Sequence, residues 1–156
     1  MIFREAKTND IPQLHSIRIS VHENKLSNPS LITPEDYEDF LNIRGKGWLC
    51  EVDNTIAGFA IVDFREHNIW ALFVRPEFEG RGIGKKLQEI LLDHYFRKNI
   101  QTLWLGTAPG TRAENFYCKS GWKEMGKRKN GEILFELSFD DWKRNFKSRD
   151  RVDYTN

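Results

Sequence analysis

A chain of 156 residues with 39% hydrophobic and 13% aromatic side chains has enough apolar surface for one well-buried core, so a single domain is expected. Its 24 Lys and Arg nearly balance 23 Asp and Glu, for a net charge of +1, which excludes a global field that would recruit nucleic acid or an acidic membrane. Cys50 and Cys118 match no zinc-ligand spacing, the N-terminus lacks a basic-then-apolar signal, and no apolar run approaches the roughly 18 residues of a membrane span. The expectation is a cytoplasmic protein with reduced cysteines, no metal, and neither a nucleic acid nor a membrane as partner.

Ile2 to Lys7 is a short strand candidate, and Thr8-Asn9-Asp10 with Pro12 starts a capped helix that runs to about Asn24. Leu26 to Ile32 is polar and contains Pro29, which predicts a mobile loop. Thr33 then caps a second helix that has Pro34 at its first position and ends near Arg44-Gly45. Trp48 to Val52, a turn at Asp53-Asn54 and the β-branched run Ile56 to Phe64 predict a hairpin.

After a turn over Arg65-Glu66-His67-Asn68, Ile69 to Val74 is apolar on both alternating faces, which predicts a central fourth strand covered on both sides. Ile83, Leu87, Ile90, Leu91 and Tyr95 recur at a helical period, so a long amphipathic helix follows. Thr102 to Leu105 is a further strand and Arg112 to Ser120 a short helix stopped by Gly121. Trp122 to Lys127 and Ile133 to Phe139 form a closing hairpin around Asn130-Gly131. Trp48, Trp70, Trp104 and Trp122 fall on the predicted strands as core residues or cleft wall. The predicted fold is α/β of the α+β kind, one mixed and mostly antiparallel sheet of six or seven strands with helices on both faces, spanning residues 1–140 before a charged, peripheral tail at 141–156.

Gly80, Gly82 and Gly84 lie between the central strand and the long helix, where unpaired amides and the positive end of the helix dipole face outward. Arg81, Lys85 and Lys86 add charge suited to a pyrophosphate and a further phosphate. The loop is not a Walker loop, because Glu79 stands where its first glycine is required and Lys86 where Ser or Thr is required. It is not a dinucleotide fingerprint either, since the third glycine of the two possible registers falls on Lys85 or Leu87.

Leu72-Phe73-Val74-Arg75-Pro76-Glu77-Phe78-Glu79-Gly80-Arg81-Gly82-Ile83-Gly84 and Ala113-Glu114-Asn115-Phe116-Tyr117-Cys118-Lys119-Ser120-Gly121-Trp122 together resemble the GNAT superfamily of acyl-CoA-dependent N-acyltransferases, with matching element order from Ile2 to about Phe139. The resemblance implies acetyl-CoA as cosubstrate, with Arg81, Gly82, Ile83, Gly84 and Lys85 binding its pyrophosphate. It also implies a bulge in the fourth strand that places the thioester beside Leu72, Phe73 or Val74. Glu79 departs from the family's Gln or Arg, and a carboxylate there is unfavourable unless it points away or pairs with Arg81 or Arg75. Gly110 departs from an Asn that contacts the cofactor arm, a role for which Asn115 or Thr111 could substitute.

Acetyl transfer to an amine requires a neutral amine, a site for the developing oxyanion and a proton for the leaving thiolate. Tyr117 matches the tyrosine of the family's Phe-Tyr pair, which implies that it is the general acid. The position of a family glutamate base falls on Asn68, with Asp63 on the preceding strand, and Glu66 and His67 beside it are the base candidates against the alternative of solvated turn residues. His15, His22 and His94 read as helix-surface residues.

The acceptor site is expected where Val21 to Arg44 meet the ends of the central strands. A small-molecule amine is the first reading for the acceptor and a protein amine the second. A non-catalytic CoA-binding domain and a nucleic-acid site built on Arg81, Lys85, Lys86 and Lys127 to Lys129 are the other classes. The resemblance also raises homodimerisation, with no interface fixed by the sequence.

Overall fold

The computed structural model describes residues 1–21 and 32–146. Strand β1 (Ile2–Glu5) leads through a 3-10 turn at Thr8–Asp10 into helix α1 (Ile11–Ser20). Asp10 organises this corner, accepting from the Lys7 amide at 2.8 Å and from two Arg4 nitrogens at 2.9 and 2.8 Å. Helix α1 stops before the predicted Asn24, because Val21 turns extended at φ −90° and ψ 106°. The predicted loop at Leu26 to Ile32 falls, up to residue 31, outside the described residues, as does His22.

Helix α2 (Pro34–Asn42) begins as its sequence predicts: Thr33 accepts from the Asp36 amide while Asp36 accepts from the Thr33 amide, a closed capping box. Strands β2 (Gly45–Val52) and β3 (Thr55–Asp63) form the hairpin. Its turn residues Asp53 and Asn54 adopt φ of 50° and 64°, the paired left-handed geometry that matches strand twist. Strand β4 (Asn68–Val74), helix α3 (Ile83–Lys98), strand β5 (Leu103–Thr107), helix α4 (Arg112–Lys119), strands β6 (Lys123–Lys127) and β7 (Ile133–Leu137) and helix α5 (Phe139–Asn145) complete the order.

One seven-stranded sheet runs β1-β2-β3-β4-β5-β7-β6, so β4 is its middle strand as predicted. Every neighbouring pair is antiparallel except β4 and β5. On one face Leu14, Ile17, Tyr37 and Leu41 from α1 and α2 pack on Leu49, Phe59 and Ile61. On the other, Leu87, Leu91 and Tyr95 of α3 pack on Ala60, Val62 and Leu105. Each fully buried side chain of this kind contributes about 1.5–3 kcal/mol relative to exposure.

The expectation of a peripheral tail after Asp140 is corrected over its first residues. Trp142 is 4% exposed and stacks on Phe96 of α3, with ring centroids 5.3 Å apart. Ser138 caps α5 by accepting from the Asp141 amide. Of the charges that suggested a solvated tail, Asp140, Lys143 and Arg144 are exposed, whereas Asp141 is buried beside Trp142 and pairs with Lys123 and Arg144. Residues 147–156 lie outside the described residues.

Candidate active site

Strand β4 does not stay zipped to both neighbours. Its pairing with β3 shifts register between Ile61 and Val62, opposite Ala71 and Ile69, so Trp70 is the extra residue of a β-bulge. Its pairing with β5 is limited to Asn68 opposite Trp104, reinforced by the Trp104 amide donating to the His67 carbonyl at 3.0 Å and Trp104 Nε1 to the Glu66 carbonyl at 2.8 Å. Beyond this point the two strands diverge, and a cavity of about 510 Å³ occupies the gap. Leu72, Phe73 and Val74 line it and are only partly buried. The prediction that this strand is covered on both sides therefore fails at its C-terminal half. The bulge, expected to act beside Leu72 to Val74, lies at Trp70.

The glycine loop closes one end of this gap. Gly80 and Gly82 take φ of 79° and 81°, and Gly82 is the N-cap residue of the 16-residue helix α3. A Cβ at either position would meet nothing within 4 Å, so the requirement for glycine is the left-handed backbone rather than crowding. Gly84 differs: a Cβ there would touch Val74 and Phe116 at 3.6 and 3.9 Å, ordinary contact that leaves room for alanine. Gly82, Ile83, Gly84 and Lys85 line the cavity, whereas Arg81 turns its guanidinium over the Phe78 ring at 5.2 Å. Glu79 lines the cavity too, and its carboxylate pairs with Arg112 at 3.4 Å. Glu79 thus pairs with neither Arg75 nor Arg81, the partners expected for it; Arg75 Nε donates to the Ile56 carbonyl at 2.9 Å.

Tyr117 lines the same cavity from α4 at 5% exposure, held by edge contacts to Phe116 and Trp122. Burial pushes its phenol well above the ordinary value of 10.0, so it keeps its proton throughout the neutral range. Thr111 lines the cavity while capping α4, accepting from the Glu114 amide and donating to the Ala108 carbonyl at 2.7 Å. Asn115, its alternative, is exposed and does not line the cavity.

Glu66 and His67 are not brought to the cavity. They occupy the β3–β4 turn, at the opposite end of β4 from the glycine loop; Glu66 is exposed, and His67 Nδ1 is bonded to the Tyr95 hydroxyl at 2.9 Å. Asn68, one residue further on, does line it.

Three lining residues were missed in the sequence. Glu132 is 9% exposed and its Oε1 accepts from Arg128 at 3.2 Å and Asn130 at 2.8 Å. Arg128 covers the Trp104 ring at 4.6 Å, so this residue of the Lys127-Arg128-Lys129 run belongs to the cavity wall. Arg18 enters from the last turn of α1, over Trp70 at 4.6 Å and Phe73 at 4.8 Å. Among the described residues no group of three or more acidic, His or Cys side chains could hold a metal, and no helix is long and apolar enough to cross a membrane.

The arrangement fits an acyl-CoA. A helix N-terminus with two left-handed glycines offers amides to a pyrophosphate, Lys85 adds a cation, and the parted strands leave an apolar slot for an extended arm.

The comparisons agree. Residues 12–122 match the acetyltransferase (GNAT) family. A [ribosomal protein bS18]-alanine N-acetyltransferase of Haemophilus influenzae is 30% identical over 131 residues, 83% of this chain and 86% of that protein. The crystal structure of the ribosomal-protein-S18-alanine N-acetyltransferase from Escherichia coli aligns with a TM-score of 0.71 at 20% identity, covering 88% of this chain and 93% of that one. The PaiA N-acetyltransferase from Thermoplasma acidophilum, in complex with coenzyme A, aligns with a TM-score of 0.72 at 16% identity, covering 88% and 98%. At those identities the two structures show the shared fold. With the glycine loop, the parted strands and the family match together, the chain belongs to the GNAT family and is an N-acetyltransferase.

Proposed function

We propose that the cavity between β4 and β5 carries acetyl transfer from acetyl-CoA to a primary amine of a small molecule, with Tyr117 as the acid that protonates the departing thiolate. The observation that supports this reading is the convergence of the glycine loop, the Trp70 bulge and the buried Tyr117 on one cavity. Acetyl-CoA supplies the acetyl group as a thioester, and the chain's residues do the rest. The amides around Gly82 to Lys85 hold the pyrophosphate, and the backbone at the bulge is freed from the β3 ladder to face an oxyanion. Tyr117, protonated at neutral pH as a phenol of pKa 10.0 or above is, has a proton to give as negative charge develops on the departing sulfur.

The amine must arrive neutral. An α-amine with a pKa of about 8 needs little help at neutral pH, whereas a lysine amine near 10.4 needs a base. Neither Glu66 nor His67 reaches the cavity, and Glu132 already accepts from two donors there, which favours an α-amine. A protein N-terminus is the second reading, supported by the similarity to the [ribosomal protein bS18]-alanine N-acetyltransferase of Haemophilus influenzae.

Both readings are tested by mass spectrometry of acetylated products from a panel of small amines and Ala-initiated peptides, with Tyr117→Phe as control. The expected result is turnover of small α-amines and a fall in kcat of about 10²–10⁴ in the variant, with acetyl-CoA affinity unchanged. Turnover of peptides alone would transfer the assignment to a protein acceptor, and an unchanged kcat in the variant would remove Tyr117 from the chemistry.

A further inference from the structure

Among the described residues, the buried side-chain polar atoms without a hydrogen-bond partner are Arg18 Nε, Arg18 Nη2 and Asn68 Oδ1. Both residues line the cavity. Arg18 is the more costly case. It is 8% exposed, and a guanidinium removed from water without a carboxylate carries a penalty of several kcal/mol. Burial is the largest influence on the guanidinium and lowers its pKa, and the Tyr37 hydroxyl beside it offsets this only in part. Trp70, Phe73 and Tyr37 present their rings at 4.6, 4.8 and 5.9 Å, and the C-terminal end of α1 adds its negative dipole. None of these consumes the two idle donors.

Nε and Nη2 lie on one edge of the guanidinium and form the fork that takes both oxygens of a carboxylate side-on. The same protein shows that fork occupied: Arg44 donates from Nε to Asp63 Oδ1 at 3.1 Å and from Nη2 to Oδ2 at 2.7 Å. In Arg18 the same two nitrogens have no hydrogen-bond partner among the described residues, and the rings of Trp70 and Phe73 hold the guanidinium in place. Its anchor ring, Trp70, is the bulged residue of β4, so the cation lies beside the strand position assigned to the reacting carbonyl.

We propose that Arg18 is the residue that binds the acceptor, and that the acceptor is a small amine bearing a carboxylate close to the amine, as a free amino acid does. This rests on the acetyl-transfer reading and narrows its substrate class. It also separates this chain from acceptors in which the α-amine stands next to an amide, as at a protein N-terminus.

The test compares free amino acids, the matching amino-acid carboxamides and an Ala-initiated peptide as acceptors, for wild type and Arg18→Met, with acetyl-CoA binding followed separately by calorimetry. Free amino acids are expected to be acetylated, with carboxamides and peptide about a hundredfold poorer in kcat/KM. Arg18→Met is expected to raise the amino-acid KM about a hundredfold with acetyl-CoA affinity unchanged and the melting temperature equal or higher, since it removes a buried unpaired charge. A merely structural arginine would instead lower the melting temperature and leave the acid-over-amide preference intact. Should Arg18→Met not fold, Arg18→Lys keeps the cation without the fork, and a KM rise of about tenfold is expected. Carboxamides or peptide acetylated as well as the acids, an unchanged acceptor KM in the variants, or no amino acid acetylated by a protein that binds acetyl-CoA would each overturn the inference. Failure to bind acetyl-CoA at all would overturn the acetyl-transfer reading itself.

Discussion

The two seams of the middle strand behave in opposite ways. Between β3 and β4 six residue pairs keep the ladder closed across a bulge, and Phe59, Ala60, Ile61 and Val62 are fully buried. Between β4 and β5 one pair holds the strands together, and the side chains beyond it are left half-covered around a cavity. Among the described residues, the buried side-chain polar atoms without hydrogen-bond partners are on Asn68 of this seam and on Arg18 of α1, and both residues line the cavity. A closed seam buys stability through apolar burial, while an open one leaves backbone and side-chain groups free to meet a ligand.

The sharpest way to break this contrast is a truncation in the closed seam. Phe59→Ala is expected to cost about 3–5 kcal/mol of stability by denaturant unfolding, with acetyl-CoA affinity of the folded protein unchanged; a loss of affinity in the protein that remains folded would show that the two seams are not separable. Gly82→Ala should act the other way round. Its side chain meets no neighbour but must adopt φ of 81°, so about 1 kcal/mol of stability is lost while acetyl-CoA binding weakens through the shifted loop amides. Binding as tight as wild type would show that this left-handed turn is not what holds the pyrophosphate.

The smallest effect is a pH response of the packed side. His94 lies between Trp48 and Phe64, and burial, followed by the nearby Lys98 and Lys46, holds its pKa below the ordinary 6.5. A histidine depressed in the folded state is protonated first in the unfolded chain. Its contribution is therefore complete above about pH 6.5 and is lost as pH falls through the folded value. Stability should decline on acidification below pH 6.5, and His94→Gln should flatten that decline without altering the acetyl-CoA affinity at pH 8; an equal slope in the variant would assign the decline to other groups.

Local signals carried the fold well. The Thr33-Pro34 cap, the Asp53-Asn54 turn and the period from Ile83 to Tyr95 each depend on neighbours in sequence, and each forms where expected. The glycine loop was legible for the same reason, since a strand, three glycines and a helix fix their own geometry. What depended on distant partners was not legible. The apolar run Ile69 to Val74 could not reveal that β5 leaves it after one pair. Arg18 carries no signal in the sequence, because what marks it is its place over the rings of Trp70 and Phe73. Glu66 and His67 were close in sequence to the right strand but at its wrong end, and Trp142 was hidden among charges, of which Asp140, Lys143 and Arg144 are exposed.

The central claim, that the open seam and its glycine loop bind acetyl-CoA, is tested most directly by isothermal titration of the purified protein with acetyl-CoA beside an Arg81→Glu, Gly82→Asp double variant. Micromolar binding by the wild type that disappears in a variant of unchanged fold is the predicted result. No binding by the wild type, or equal binding by the double variant, would contradict it.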